Sequence, residues 1–293
     1  MPSDGHRAGV EAKSQALRWR TMGRSRLRSI HVPAVLLGVP VLLVVGFLAL
    51  PLLAIFLKVL TQAELWKTLQ QPLVTQALQL SLVTSLSSLL LALLCGTPVA
   101  YLLARHRFRS AVLLDTLIDL PMVLPPTVAG VALLMTFGRR GLFGPWLDAL
   151  GVQIGFTTVA VVLAQSFVST PFYIRAAQAG FRGVDQELER VAYTLGHSVV
   201  RTFLRVTVPL AFPALLSGAV MAWARALGEF GATIMFAGNL LGRTQTMPLA
   251  IYLAMESDLT AALVLSTILI LVPFSGLFCM RLLLRRGVFG AYA

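Results

Sequence analysis

"GFRGVDQELERVAYTLGHSVVRTFLRVTVPLAFP", which runs from Gly180 to Pro213, places a segment of mixed charge between two long apolar stretches. Its residue pattern predicts two short helices joined at a glycine. Asp185 is suited to cap the first helix, and Gly196 to end it, because glycine adopts the left-handed conformation that helix ends favour. Ser198 is suited to cap the second helix, and Pro209 marks the return to apolar sequence.

One face of this predicted helix pair is apolar, because its apolar residues recur at helical spacing. The positions are Val191, Ala192, Leu195, Val199, Phe203 and Val206. Such a face can dock a partner, or it can pack against the rest of its own chain. The residues alone leave both alternatives open.

The composition indicates an all-α integral membrane protein. Apolar residues make up 57% of the chain and charged residues 12%, with a mean hydropathy of +0.82, whereas about 25% charged is usual in soluble domains. Apolar windows of about eighteen residues recur, and each can cross roughly 30 Å of hydrocarbon as a helix. We therefore expect six transmembrane helices. They are Val32–Leu57, Leu73–Ala104, Val112–Phe137, Phe156–Ala179, Leu210–Ala237 and Leu259–Leu284.

The basic residues predict the orientation of these helices. Eighteen of the 24 Lys and Arg residues lie in 1–31, 105–111, 175–209 and 281–293, on one side of the six spans. The alternate loops contain only five: Lys58, Lys67, Arg139, Arg140 and Arg243. Because basic loops stay in the cytoplasm, both termini and the 180–209 segment are predicted to be cytoplasmic. The net charge of +12 then reflects orientation and not nucleic-acid binding.

These patterns divide the chain into three parts. Residues 1–31 form a basic cytoplasmic tail, which we expect to be disordered, residues 32–285 the transmembrane domain, and residues 286–293 a cytoplasmic C-terminal tail.

Two charged residues fall deep in the fifth predicted span. Arg225 and Glu229 are four residues apart, which places them on one face of a helix. A single charge at the bilayer centre costs about 2.5–3.5 kcal/mol, so we expect the two to pair or to face protein or water. They either fix helix packing as an internal ion pair or border a polar path in which Arg225 favours an anion. The two readings are compatible.

Prolines, glycines and hydroxyls mark the third and fifth spans as candidates for a moving path. "PMVLPPTVAG" and "PLAFPALLSG" share their spacing of two prolines and a glycine, and prolines bend membrane helices. The candidate path residues are Pro125, Pro126, Thr127, Gly130, Arg225, Glu229 and Thr233.

Motifs for enzymatic chemistry are absent from the sequence. It contains no G-x-x-x-x-G-K-[ST] phosphate loop, no H-E-x-x-H and no G-x-S-x-G. The four histidines lie outside the apolar spans without metal spacing. The sequence therefore predicts no catalytic residue, no metal site and no bound cofactor in this chain.

The 180–209 segment resembles the E-A-A-x3-G-x9-I-x-L-P loop of the membrane subunits of binding-protein-dependent ABC importers. Arg190, Val191 and Ala192 occupy the E-A-A positions, and the glycine and the proline hold at Gly196 and Pro209. Arg190 departs from the family glutamate, although Glu189 stands beside it. The resemblance covers roughly residues 70–285 and implies the type I importer permease fold.

The same resemblance implies partners. The loop would couple to a dimer of ABC ATPase subunits, which would bind ATP and Mg²⁺, through Glu189, Arg190, Val191, Ala192, Leu195, Gly196, Val206 and Pro209. A second copy of the permease would complete the pathway. A periplasmic binding protein would dock on the outer side, near Arg139, Arg140 and Arg243.

Three further segments narrow the resemblance to the molybdate and sulfate branch. "DLPMVLPPTVAGVALLMTFGRRGLFG" and "ARALGEFGATIMFAGN" are similar to that branch, and "GRTQTMPLAIYLAMES" most resembles molybdate permeases. We expect an inner-membrane importer of a tetrahedral oxyanion, molybdate first and tungstate or sulfate as alternatives. An ATP-independent anion channel or carrier is the more distant alternative.

Overall fold

The structure is a computed structural model that describes residues 34–62, 65–106 and 110–285. The predicted tails at 1–31 and 286–293 lie outside the described residues. All regular elements in the described ranges are helical, as the composition predicts. In chain order they are α1 Ala34–Leu60, α2 Leu65–Leu69, α3 Pro72–Arg105, α4 Ala111–Val123, α5 Pro126–Phe137, α6 Gly144–Ala149, α7 Thr158–Gly183, α8 Gln186–Thr194, α9 Val199–Thr202, a π-helical turn Phe203–Thr207, α10 Val208–Leu227, α11 Gly231–Ala237, α12 Met247–Ser257 and α13 Leu259–Arg285.

The chain divides into two compact units, with the boundary between Leu53 and Ala54 inside α1. The described part of the first unit is an apolar helix whose large side chains are exposed, such as Phe47 at 76%. All other described elements belong to the second unit, which contains the features discussed below.

Five helices in the described residues are long and apolar enough to cross a membrane, and a bent pair of helices can form a sixth span. The third predicted span, Val112–Phe137, is such a bent pair and not one continuous helix. α4 and α5 meet at an angle of 115°. Leu124 and Pro125 are extended, with ψ of 136° and 133°, because a proline disfavours helical geometry in the residue before it and lacks the N–H that a helix needs.

The fifth predicted span, Leu210–Ala237, is also not one helix. An unbroken helix runs from Val199 to Leu227 and passes through Pro209, which therefore does not separate two elements. The chain then breaks and resumes as α11. The break is stabilised by Glu229, whose Oε1 accepts a hydrogen bond of 2.8 Å from the backbone N–H of Ala232 in the first turn of α11.

The predicted outer loop after residue 240 contains a buried helix. Met247, Leu249 and Ala250 of α12 are 0% exposed. The N–H of Met247, at the start of α12, donates to Ser81 Oγ of α3 at 2.7 Å. This bond satisfies a helix end inside the apolar part of the molecule, where an unpaired N–H would be costly.

Small residues set the distance between α3, α7 and α10. A Cβ on Gly96 of α3 would lie 3.0 Å from the ring of Tyr173 on α7, and a Cβ on Gly218 of α10 would lie 2.6 Å from Ala176 on α7. Such close approach is the usual basis of helix packing in membranes. α7 thus lies between α3 and α10, and its C-terminal end fixes where the next segment begins.

Candidate functional site

The 180–209 segment forms the predicted helical hairpin, with α8 as its first helix and α9 as its second. Asp185 caps α8 by accepting from the N–H of Glu187 at 3.0 Å. Gly196 ends it with φ of +84°, and Ser198 caps α9 by accepting from the N–H of Arg201 at 3.4 Å. The helix–glycine–helix arrangement is therefore confirmed.

Glu189 fastens the hairpin to the rest of the chain. Its Oε1 accepts hydrogen bonds of 2.7 Å from the guanidinium of Arg105, at the end of α3, and from Thr207 Oγ1, in the π-helical turn. The side chains of Arg105 and Glu189 are only 7% and 8% exposed. Arg105 also donates to the carbonyl of Val184 at 3.1 Å. One carboxylate thus joins α8 to α3 and to the start of α10.

The opposite face of the hairpin is apolar and open. Val191 is 54% exposed, Leu195 74% and Val199 63%, whereas Ala192 is buried. Val191, Ala192 and Leu195 border a groove of about 950 Å³ that also includes Leu188, Leu204, Val206 and Pro209 among its lining residues. Val199 borders a different groove, beside Arg105 and Glu189. The sequence left two alternatives, docking of a partner and packing against the chain itself. Glu189 and Ala192 pack against the chain itself. The exposed residues Val191 and Leu195, which we call the apolar ridge, remain available for a partner.

Arg190 lies outside this anchor. Its guanidinium is two-thirds exposed and pairs with Glu187 at 2.5 Å on the surface of the same helix. The residue that departs from the family pattern is therefore a surface residue, and the neighbouring Glu189 makes the structural contact.

The breaks in the two bent spans pack against each other. A Cβ on Gly231, at the start of α11, would lie 2.7 Å from Cβ of Pro126, at the start of α5. A Cβ on Gly130 would lie 2.7 Å from the carbonyl oxygen of Ala232. Because α5 has 12 residues, the breaks lie roughly 18 Å from the far end of that helix.

Arg225 and Glu229 form the predicted ion pair beside these breaks. Arg225 Nη1 lies 2.7 Å from Glu229 Oε2. Glu229 is outside the helix and 1% exposed, whereas the side chain of Arg225 is 29% exposed. The carboxylate is thus a fixed internal counterion, and the guanidinium keeps one side open.

The remaining path candidates differ in their surroundings. Pro125 and Thr127 are exposed at the start of α5. Thr233 is 0% exposed, and its Oγ1 has no hydrogen-bond partner among the described residues. The structure therefore brings Pro126, Gly130 and the Arg225–Glu229 pair to the two breaks, with Thr127 at their open edge.

Arg139, Arg140 and Arg243 lie at the end of the unit opposite the hairpin. Arg139 and Arg140 follow α5, and the carbonyl of Arg243 accepts from Thr158 Oγ1 of α7 at 2.8 Å. All three side chains belong to exposed residues. α7 has 26 residues and therefore separates this end from the hairpin by roughly 39 Å, which is enough to span a bilayer.

One cluster was missed by the sequence reasoning. Arg175 of α7 donates to both Asp115 and Asp119 of α4, at 2.6 Å each. The sequence carried a signal, because two aspartates four residues apart interrupt the apolar run of the third predicted span. The charge distribution places Arg175 in the cytoplasmic basic segment 175–209, whereas in the structure it lies inside α7.

The arrangement offers no metal centre in the described part of the chain, where no three His, Cys, Asp or Glu side chains are grouped to hold an ion. The described part of the chain offers instead a paired arginine beside two helix breaks and a hairpin anchored through Glu189.

A family model described as "binding-protein-dependent transport system inner membrane component" matches residues 96–286. The chain belongs to this family. It is a multi-pass permease subunit of the inner membrane, as the resemblance of the 180–209 segment implied.

Curated relatives of this permease cover most of its length. The molybdenum transport system permease protein ModB of Mycobacterium tuberculosis is 46% identical over 233 residues, or 80% of this chain and 88% of the relative. The molybdate/tungstate transport system permease protein WtpB of Pyrococcus abyssi is 42% identical over 192 residues, or 65% of this chain and 72% of the relative.

A solved structure supports the fold. The permease superposes on a chain of a bacterial ABC transporter that imports the acidic polysaccharide alginate, with a TM-score of 0.66 and 14% identity. The match covers 96% of this chain and 99% of the other. The type I importer fold predicted from the sequence is confirmed.

Proposed function

We propose that this permease is the membrane-spanning subunit of an ATP-driven importer that carries molybdate or tungstate into the cytoplasm. The observation that carries the proposal is the hairpin, which is anchored through Glu189 on one face and presents an open apolar ridge on the other. The names of its relatives, given for molybdenum and for molybdate/tungstate transport, indicate the substrate.

In this proposal the partners occupy opposite ends of the molecule. A dimer of ATPase subunits, which holds ATP and Mg²⁺, grips the ridge formed by Val191 and Leu195. A periplasmic binding protein delivers the anion to the end that carries Arg139, Arg140 and Arg243. Both termini and the hairpin then face the cytoplasm, in agreement with the distribution of basic loops.

The translocation path lies between two copies of the chain, next to the paired breaks. Arg225 offers a positive charge to a dianion, while Glu229 limits that charge so that the anion binds weakly enough to leave. Bent helices at mid-depth that are tilted against one another are a common basis of alternating access in transporters. The binding protein, in this proposal, supplies most of the selectivity.

The ATPase contact is tested by replacing Gly196 with tryptophan. Open space surrounds Gly196, so the indole would project from the ridge and block docking. Gly151→Trp is the matched control, because Gly151 also has open space and positive φ, +68°, but lies in the segment between α6 and α7. We expect Gly196→Trp to abolish copurification of the ATPase and ATP-dependent molybdate uptake by proteoliposomes, and Gly151→Trp to keep the ATPase bound.

Two results would overturn this proposal. One is normal ATPase binding and uptake by Gly196→Trp. The other is molybdate uptake without any ATPase, driven by a proton gradient, which would establish the alternative of a secondary carrier.

The substrate is tested by competition. We expect unlabelled tungstate to compete with radiolabelled molybdate at similar concentration, because both are tetrahedral dianions of similar size, and sulfate to compete only at large excess. Equal competition by sulfate would move the assignment to the sulfate alternative.

A further inference from the structure

α4 is attached to the molecule in an unusual way for a membrane helix. None of its 13 residues is buried, and its apolar side chains point outward, with Val112 76% and Val123 80% exposed. Ile118 alone of its residues adds a partly buried apolar contact to the adjacent core cluster. By contrast, α5, the other half of the bent span, buries Ala129, Gly130 and Leu133. Apolar packing therefore fixes α5 firmly and α4 only weakly.

Polar contacts hold α4 instead, and one side chain supplies them. The guanidinium of Arg175 on α7 donates to Asp119 Oδ1 at 2.6 Å, to Asp115 Oδ1 at 2.6 Å and to the Asp115 carbonyl at 2.8 Å. It also donates to Gln178 Oε1 at 2.7 Å, which holds the guanidinium against its own helix. We call Arg175, Asp115 and Asp119 the α4 clamp.

The α4 clamp is partly exposed. The side chains of Arg175, Asp115 and Asp119 are 28%, 34% and 48% exposed. Partly exposed ion pairs of this kind contribute far less net stability than buried ones. Arg105–Glu189, with both groups more than nine-tenths buried, is the opposite case.

The position of the clamp decides what its opening does. α4 ends at the extended pair Leu124–Pro125, and α5 beyond it is fixed to α11 through Gly130. If the clamp opens, rotation about Leu124 and Pro125 moves α4 while α5 stays in place. Pro126 and Thr127, at the edge of the proposed path, lie directly at this pivot.

We infer that Arg175 is a positioning residue of the transport cycle: it holds α4 against α7 in one state and releases it in another. The inference rests on the proposed function, since it assigns the clamp a role in ATP-driven uptake. It adds a part that the hairpin and the path residues do not supply, a latch on the α4 half of the bent span.

Spin-label distances test the release directly in the complete transporter. Labels at Leu113→Cys on α4 and Val159→Cys at the start of α7, in a background with Cys95→Ser and Cys279→Ser, report the position of α4 relative to α7. Singly labelled transporters measure the distances between the two copies. We expect two distance populations whose ratio changes between the nucleotide-free and the vanadate-trapped transporter, and we expect Arg175→Gln to populate the second without nucleotide. An unchanged single distance in every state would overturn the inference.

Coupling efficiency separates a latch from a purely structural tie. For Arg175→Gln we expect the molybdate taken up per ATP hydrolysed to fall about tenfold, the size of effect that loss of charge-assisted hydrogen bonds produces, while the amount of assembled transporter is unchanged. Arg182→Gln is the control, because Arg182 lies on the same helix and makes one contact of 3.5 Å to the Leu103 carbonyl.

A structural tie predicts instead that uptake, hydrolysis and yield fall together, with their ratio preserved, and that result would refute the latch. If Arg175→Gln does not assemble, Asp119→Asn removes one arm of the clamp and is measured in the same way. Wild-type transporter that shows no ATP-dependent uptake would contradict the proposed function itself, which keeps the two failures distinguishable.

Discussion

Replacing Glu189 by glutamine removes the charge that anchors the hairpin and leaves nearly the same shape. In the wild type, Glu189 Oε1 accepts from both Arg105 and Thr207 at 2.7 Å. Glutamine keeps one acceptor oxygen, but the guanidinium of Arg105 loses its counterion in a site that is 7% exposed. The Arg105 Nε has no partner among the described residues even in the wild type, and the Val184 carbonyl to which Arg105 also donates carries no charge.

The expected cost follows from this burial. Removing one partner of a buried pair costs about 3–5 kcal/mol, and the oxygen that remains offsets part of this, so we expect about 2–4 kcal/mol for Glu189→Gln. That is roughly a 30- to 800-fold increase in opening of the hairpin. Glu187→Gln is the control, because Glu187 is 66% exposed and pairs only with Arg190, and an exposed pair changes opening by at most about fivefold.

Hydrogen exchange measures this opening residue by residue. We expect backbone amides of α8 to exchange faster in Glu189→Gln, while amides in the middle of α7 keep their protection, and we expect uptake to fall without loss of the membrane-inserted protein. Unchanged protection of α8 in Glu189→Gln would refute the anchoring role. So would an equal effect of Glu187→Gln.

Two further substitutions test the packing of the breaks and the ion pair beside them. Gly130→Ala places a Cβ 2.7 Å from Ala232 O, so we expect about 1–3 kcal/mol of destabilisation and a lower unfolding midpoint in detergent, whereas Gly183→Ala, with open space, keeps the wild-type midpoint. A normal midpoint for Gly130→Ala would show that α5 and α11 are not in tight contact. Arg225→Gln leaves a carboxylate of 1% exposure without a counterion and should cost about 3–5 kcal/mol. Glu229→Gln keeps the cap on α11 and leaves an arginine that can reach water, so it should cost about 1–3 kcal/mol; the reverse order of midpoints would contradict the burial that separates them.

Local rules predicted the hairpin well. Asp185, Gly196 and Ser198 act within three residues of their own positions, through capping bonds and a backbone angle that the residue type itself favours. Such signals do not depend on the rest of the fold. The long helices were predicted for a similar reason, since their apolar content alone suits a bilayer.

The prolines of the third span predicted a bend, but hydropathy measures composition and not direction, so the angle of 115° was not predicted. The contact of Pro126 with Gly231, more than one hundred positions along the chain, was also beyond local patterns. In the fifth span the break depends on Glu229, which was predicted as a helical residue and instead caps the next helix.

The sequence did not predict the ion pairs between residues that are distant along the chain. Arg175 and Asp115 are 60 residues apart, and Arg105 and Glu189 are 84 apart, so no local pattern joins them. α12 falls in the predicted outer loop between the fifth and sixth spans, and its burial involves contacts with α3 that are distant in sequence, such as the bond from Met247 to Ser81.

The continuous helical run from Val199 to Leu227 connects the hairpin at one end to Arg225 near the other. It contains 29 residues and is therefore roughly 43 Å long. If the run moves as one body about its hairpin end, a tilt of about 5° displaces the other end by about 4 Å for a helix of this length. Such a shift would move Arg225, and with it the positive charge that a passing anion meets in the proposed path.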